Sequence, residues 1–160
     1  DTCIFEKQSG VSKQMIRKMT EDDLERVLQI EEQCFYSNWN RQQYLYELNE
    51  NPYSNLYVYL YNGILVGYFD LWIIFERAEI ATIAVDPLFQ GKNIGREMMQ
   101  YLEKLARDNG CETISLEVRA SNKKAKNLYQ SCGFIFVNLK PSYYKTKEGC
   151  EDGLFLMKGI

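Results

Sequence analysis

This chain of 160 residues contains no histidine. That absence removes both the side chain that most often acts as a general base near neutral pH and the commonest metal ligand. The five cysteines, Cys3, Cys34, Cys111, Cys132 and Cys150, are scattered, odd in number and without a C-x-x-C pair. They read as free thiols in a reducing cytoplasm, and no metal site is expected. No apolar run approaches the length of a membrane span, so no membrane partner is expected. Asp1 to Lys13 lack the apolar centre of a signal peptide and read as a flexible arm, 1–13. The net charge is only −3, which gives no electrostatic case for a nucleic-acid partner.

What is present argues for one folded domain over 14–160. Hydrophobic residues make up 46% and aromatic residues 14% of the chain, enough for a substantial core. Gln14–Met19 predicts a short strand. Thr20-Glu21-Asp22-Asp23 has the form of a capping box, and Leu24, Val27, Leu28, Cys34 and Phe35 then share a helical face. Asn40 is placed to cap a second helix, with Tyr44, Leu45 and Leu48 inward and Asn51-Pro52 as its end. Asn62-Gly63 between two apolar runs demands positive φ at both central residues, the signature of a tight hairpin. Arg77–Val85 extends that hairpin to a three-stranded meander. Later come a helix from Ile94 to about Asn109, a strand over Glu112–Val118, and a helix from Lys123 capped by Ser121-Asn122. Phe134–Val137 and Leu154–Met157 are the last strands, joined by a polar, Tyr-rich connection from Lys140 to Gly153. A meander mixed with crossover helices predicts a mixed α/β (α+β) domain around one central sheet.

The chain is organised around Glu79-Ile-Ala-Thr-Ile-Ala-Val-Asp-Pro-Leu-Phe-Gln-Gly-Lys-Asn-Ile-Gly-Arg96. An apolar strand closes at Asp86-Pro87, a glycine-containing loop follows, and Ile94, Met98, Leu102 and Leu105 recur at helical spacing. A loop of this kind turns several backbone N–H groups toward one point at a helix N-terminus, an anion site suited to phosphate. Lys92 and Arg96 add positive charge. An ordinary strand-to-helix turn with two glycines fits the same residues.

Val85-Asp86-Pro87, Gln90, Asn93 and Gly95 resemble the acetyl-coenzyme A signature of the GCN5-related N-acetyltransferases. Asn93 stands where that family usually has its first glycine, and Asn is the non-glycine residue that best tolerates a left-handed backbone. The resemblance covers the chain from about Met15 onward. It implies a mostly antiparallel sheet flanked by helices, with acetyl-CoA as co-substrate. The implied coenzyme contacts are Ile83, Ala84, Val85, Gln90, Gly91, Lys92, Asn93, Ile94, Gly95, Arg96 and Asn122. Ile83-Ala84-Val85 would pair with the pantetheine arm, one backbone N–H facing the thioester oxygen.

Leu116-Glu117-Val118-Arg119-Ala120-Ser121-Asn122 is the second informative stretch. Glu117 interrupts an apolar strand, the partly desolvated setting of a catalytic carboxylate. It is equally a strand-end glutamate paired with Arg119. With Leu128-Tyr129 and Gly133-Phe134 downstream, the string resembles the bacterial ribosomal-protein-alanine N-acetyltransferases. In that branch the matching Glu is the general base and the matching Tyr the general acid, here Glu117 and Tyr129. Glu79 is the rival base. The ending Ser142-Tyr143-Tyr144 … Gly149-Cys150-Glu151-Asp152-Gly153 follows the branch, with Ser142 and Gly153 departing from its Asn and Ala. Phe35, Tyr36 and Trp39 resemble its acceptor loop, with Ser37-Asn38 where Pro is usual. The resemblance therefore implies Phe35, Tyr36, Trp39, Tyr143, Tyr144 and Glu151 as the slot for a peptide N-terminus. The implied reaction is direct acetyl transfer to a protein N-terminal amine, the alanine of a small-subunit ribosomal protein. The alternatives are a small amine or a lysine as acceptor, or a coenzyme-binding module that has lost catalysis.

Overall fold

The computed structural model describes residues 5–9, 12–36 and 38–160. In chain order the elements are strands β1 (Phe5–Ser9) and β2 (Ser12–Lys18), then helices α1 (Leu24–Cys34) and α2 (Arg41–Asn49). The meander β3 (Leu56–Tyr61), β4 (Ile64–Ile74) and β5 (Arg77–Val85) follows. Helix α3 (Ile94–Asp108), strand β6 (Thr113–Arg119), helix α4 (Lys123–Ser131) and the hairpin β7 (Ile135–Thr146) and β8 (Gly149–Gly159) complete the chain.

The local signals act as their chemistry dictates. Asn62 and Gly63 take φ of 50° and 80°, matching the hairpin turn to the twist of its strands. Asn40 accepts from the Gln43 N–H at 2.9 Å while the Gln43 side chain accepts from the Asn40 N–H at 2.7 Å, so α2 starts on a reciprocal cap. Before α1, the Asp23 carboxylate accepts from the Thr20 N–H at 2.8 Å and from both arms of the Arg17 guanidinium. Gly110, at φ 79°, ends α3.

The strands form one sheet in the order β1-β2-β3-β4-β5-β6-β8-β7, antiparallel except between β5 and β6. One face carries α3 and α4, which press Ile94, Met98, Leu102 and Tyr129 onto Tyr57, Phe69, Leu71 and Leu116. The other carries α1 and α2, whose Leu24, Val27, Ile30 and Tyr44 cover Val58, Leu65, Tyr68 and Ala84. Both faces are thus buried against helices, which is why β4 reads as a nearly continuous apolar run.

Two sequence expectations change. Phe5–Ser9, within the stretch read as a flexible arm, pairs antiparallel with β2 as an edge strand, while 1–4, 10 and 11 lie outside the described residues. The Tyr-rich connection over Lys140–Gly153 is a continuation of β7 and β8, which turn only at Lys147-Glu148. Its polar composition reflects an exposed hairpin whose ladder bonds need no apolar side chains, so period-2 hydrophobicity missed it.

The feature that makes a site is a parting of strands. β5 and β6 pair from Arg77 opposite Thr113 to Ile80 opposite Leu116, and no further. At that point Ala81 bulges out of the β4–β5 ladder, Leu71 facing Ile80 and Asp70 facing Thr82. A bulge bends its strand, and here β5 leaves β6 behind. A cleft of about 1030 Å³ opens between their C-terminal halves.

Candidate active site

The donor side of the cleft is mostly backbone. The Asp86 N–H bonds to the Val66 carbonyl at 2.7 Å, which sets the alternation along β5. With Tyr68 opposite Ala84 and Asp70 opposite Thr82, those two residues spend their backbone groups on β4. Ile83 and Val85 therefore turn theirs into the cleft. The Val85 carbonyl accepts there from the Cys34 thiol and the Gln90 amide, each at 3.4 Å. Asp86 fixes the turn that follows. It is 2% exposed, accepts from the Leu88 N–H at 2.9 Å and pairs with Arg26 of α1.

Beyond a single 3-10 turn (Pro87–Phe89) come Gly91 at φ 82° and Asn93 at φ 63°, ψ 14°. Asn93 thus holds the left-handed conformation expected of the glycine it replaces. The Asn93 side chain makes no capping hydrogen bond, which leaves the first N–H groups of α3 open to a ligand in the cleft. Two left-handed residues followed by uncapped helical N–H groups make the concavity that binds phosphate oxygens, so the loop fits a coenzyme pyrophosphate.

Gln90, Gly91, Asn93, Ile94, Gly95, Arg96 and Asn122 all line the cleft with Ile83, Ala84 and Val85. Lys92 does not. Its ammonium lies over the Tyr61 ring, 5.7 Å from the centroid. Arg96 is tied to the Ser131 hydroxyl of α4 at 2.7 Å, and the Asn122 side chain accepts from the Ala125 N–H at 3.1 Å as the cap of α4. Gly95 has a packing reason of its own, since a Cβ there would meet Leu128 at 3.1 Å.

The acceptor side is built from side chains on distant elements. Glu117 of β6 pairs with Lys140 of β7, not with Arg119. Arg119 instead pairs with Glu151 at 3.1 Å, and Glu151 also accepts from the Ser121 N–H at 3.3 Å. Glu151 is thus used to tie β6 to the hairpin and does not line the cleft, whereas Glu117, Tyr143 and Tyr144 do. A hydrogen bond to Glu117 pushes the Tyr143 hydroxyl up to about 12. Glu79, opposite Ser115, reaches the same region; burial and then the Glu117 charge raise its pKa, while Lys140 and Arg77 oppose the rise. The two departures at the chain end have structural consequences. Ser142 sits at φ 48°, where Asn would rest more easily, and a Cβ on Gly153 would meet Tyr144 at 3.0 Å and Tyr143 at 3.1 Å.

Opposite the hairpin, Phe35 and Trp39 line the cleft, while Tyr36 is 55% exposed and is not part of its lining. Residue 37 lies outside the described residues, and Asn38 lines the cleft beside Phe35 and Trp39. The loop is anchored by Glu31, which is 2% exposed. Its carboxylate accepts from the Trp39 N–H at 3.2 Å, the Tyr68 hydroxyl at 2.8 Å and the Tyr44 hydroxyl. Burial raises its pKa. Tyr129 reaches the cleft from α4, packed on Phe134 and 7% exposed. Burial raises its pKa well above a free phenol, so it stays a hydrogen-bond donor at any working pH.

Sequence reasoning missed Glu31 and Lys140. Glu31 had a signal, because it falls on the stripe of Leu24, Val27 and Cys34 at helical spacing. Lys140 had none, since its partner is 23 residues away on another strand.

Comparison with known proteins agrees with this geometry. Residues 24–134 match the acetyltransferase (GNAT) family. The [ribosomal protein bS18]-alanine N-acetyltransferase of Escherichia coli (strain K12) is 30% identical over 141 residues, 88% of this chain and 94% of its own. A Bacillus subtilis (strain 168) relative, given the same activity provisionally, is 34% identical over 145 residues, 91% of this chain and 95% of its own. The crystal structure of the Escherichia coli ribosomal-protein-S18-alanine N-acetyltransferase superposes with a TM-score of 0.85 at 27% identity, covering 92% of this chain and 94% of that one. A splayed β5–β6 pair, an uncapped α3 behind two left-handed residues, and a matching sequence from α1 to the end of α4 together make this chain a member of the GNAT acetyltransferase family.

Proposed function

We propose that this enzyme transfers the acetyl group of acetyl-CoA to the N-terminal amine of a protein, the alanine of a small-subunit ribosomal protein of the bS18 kind. The observation that carries the reading is one cleft with an anion loop on its donor side and Glu117 between two aromatic walls on its acceptor side. A slot bounded by Tyr143 and Tyr144 on one flank and Phe35 and Trp39 on the other suits an extended peptide end entering by its amine. The names of the similar proteins support the same acceptor. A ribosomal acceptor puts the reaction in the cytoplasm.

Bound at the loop, the coenzyme supplies an activated acetyl thioester. The N–H groups of Ile94, Gly95 and Arg96, with Gly91 and Asn93, would hold its phosphates, and the cleft-facing backbone of Ile83 and Val85 would orient its arm. A backbone N–H at that strand end stabilises the oxygen on which charge develops. Glu117 takes the proton from the acceptor ammonium, directly or through one water. Tyr129 donates a hydrogen bond to the departing thiolate. Transfer is direct: Cys34 is the thiol within the cleft, and burial first, then the Glu31 and Asp86 charges, push it up to about 11. It is therefore not a thiolate nucleophile.

The test is a panel of acceptors at fixed acetyl-CoA: peptides with free N-terminal alanine, the same peptides N-blocked but carrying an internal lysine, and a small polyamine. Mass spectrometry should place acetyl on the α-amine of the alanine peptides. Acetyl found only on lysine or on the polyamine would overturn the acceptor assignment.

A further inference from the structure

Glu117 lines the acceptor cleft, and Glu79 stands near it on the neighbouring strand, close enough to feel its charge. The parallel register sets Glu79 beside Ser115, two residues from Glu117 on the same face of the neighbouring strand. Burial and then the Glu117 charge make ionisation of Glu79 harder, since like charges close together repel. The Lys140 ammonium contacts Glu117, and its charge favours the ionised form of Glu79 as well. It stands 4.9 Å from the Tyr143 ring centroid and 5.5 Å from that of Phe155, two faces that favour a cation.

The other charged or titratable groups facing the pair are few. Arg77 lies on β5 at the far side of Glu79. Arg119, on β6, is committed to Glu151 of β8 and stacks on Tyr144 at 4.6 Å. Tyr143 and Tyr144 of β7 are both made harder to ionise, so they remain neutral donors.

We propose that Lys140 is a positioning residue for proton transfer: its ammonium orients the Glu117 carboxylate and offsets the charge of the neighbouring Glu79, so that Glu117 meets the acceptor ammonium as a base. This rests on the reading of Glu117 as the base. It assigns a role to a residue that touches neither coenzyme nor acceptor. It also gives the exposed stem of β7 a task beyond its ladder with β8: Lys140 reaches across β8 to Glu117, so the hairpin delivers a charge as well as a wall.

The test compares Lys140→Met and Lys140→Arg with the unchanged protein. Lys140 is one third exposed, so a methionine fits at the rim. The first readout is kcat/KM for an alanine-first peptide between about pH 6 and pH 9.5. An adjacent opposite charge moves a carboxylate by about one to three units. Lys140→Met should therefore lose activity roughly tenfold near pH 7 and recover it at the alkaline end, while Lys140→Arg follows the unchanged protein. The second readout needs no turnover: side-chain carboxyl ¹³C NMR of the coenzyme-free protein, with Glu79→Gln and Glu117→Gln as assignments. The pair should titrate at higher pH in Lys140→Met. Superimposable profiles and titrations for Lys140→Met overturn the proposal, as does an arginine variant that behaves like the methionine one. If Glu117→Gln keeps full turnover, the base reading fails instead, and the NMR titration still decides whether Lys140 governs the pair.

Discussion

The two sides of the cleft are made of different material. The donor side is a run of contiguous backbone, Ile83 to Arg96, whose useful groups are N–H donors fixed by φ and ψ. The acceptor side is an assembly of side chains: Glu31 comes from α1, Trp39 from the loop after it, Glu117 from β6, and Lys140 and Tyr143 from β7. A backbone site tolerates most side-chain changes and yields only where a special conformation is demanded. A side-chain site can be broken one atom at a time. The difference predicts that acceptor-side variants change turnover at unchanged coenzyme affinity, and that donor-side variants do the reverse.

The sharpest break is Glu117→Gln. It keeps shape and removes basicity, so turnover should fall about 10²–10⁴-fold, the usual worth of a general base. Coenzyme affinity measured by isothermal titration should not move. Glu79→Gln is the control, because Glu79 is the nearby carboxylate on β5. If it abolishes turnover while Glu117→Gln does not, the base belongs to β5.

Tyr129→Phe should cost less, about 10–10²-fold in turnover, because a hydrogen bond to the leaving thiolate is lost while the base remains. The acidic limb of the pH–rate profile should stay where it is. A shifted acidic limb would mean that Tyr129 acts on the base side.

On the donor side the largest effect should come from Gly91→Val. Its Cβ would meet nothing within 4 Å, so the damage is conformational: φ of 82° is costly for a β-branched residue. A penalty of about 1–2 kcal/mol, felt in the bound loop, weakens acetyl-CoA roughly tenfold in titration calorimetry, with turnover at saturation largely kept. Asn93→Gly is its counterpart and should leave binding unchanged or slightly tighter. A large loss there would show that the Asn93 side chain makes a contact of its own.

The smallest effect concerns stability behind the acceptor loop. Asp70 is fully buried, its Oδ1 accepting from the Ser54 hydroxyl at 2.8 Å and the Asn55 N–H at 3.2 Å. Burial and then the Glu47 charge push its pKa up to about 7. The folded value lies above the unfolded one of about 3.9, so the folded state binds the extra proton. Its contribution to stability is full below about pH 4 and is lost as pH rises toward about 7. Asp70→Asn imitates the protonated form, keeping the acceptor oxygen and offering an N–H toward Glu47. Thermal unfolding should find the variant about 1–3 kcal/mol more stable near pH 8 and close to the unchanged protein near pH 5. Equal gains at both pH values would contradict the titration.

The same division explains what was legible in the residues. The loop from Val85 to Arg96, the Asn62-Gly63 hairpin, the Asn40 and Asn122 caps and the left-handed Asn93 were all readable, because each is a local bargain between neighbours in the chain. The base, the tyrosine acid and the tyrosine wall were named through a family resemblance, and the structure brings Glu117, Tyr129, Tyr143 and Tyr144 to one cleft. Tyr36, Lys92 and Glu151 were named with them and stand elsewhere. For those three, the pattern gave a position along the chain but not the direction of the side chain.

By itself, then, the sequence determined where the helices and the central strands begin, which faces are apolar, and that a glycine-containing loop precedes α3. Turn chemistry and side-chain period act over a few residues, and a sequence displays such distances directly. Only the tertiary structure decided that β5 parts from β6 after Ile80, that Glu117 answers to Lys140 rather than Arg119, and that a buried Glu31 holds the acceptor loop. Those outcomes depend on which charges and hydroxyls meet across the sheet. Such meetings are chosen by packing the whole domain at once, and no spacing along the chain records them.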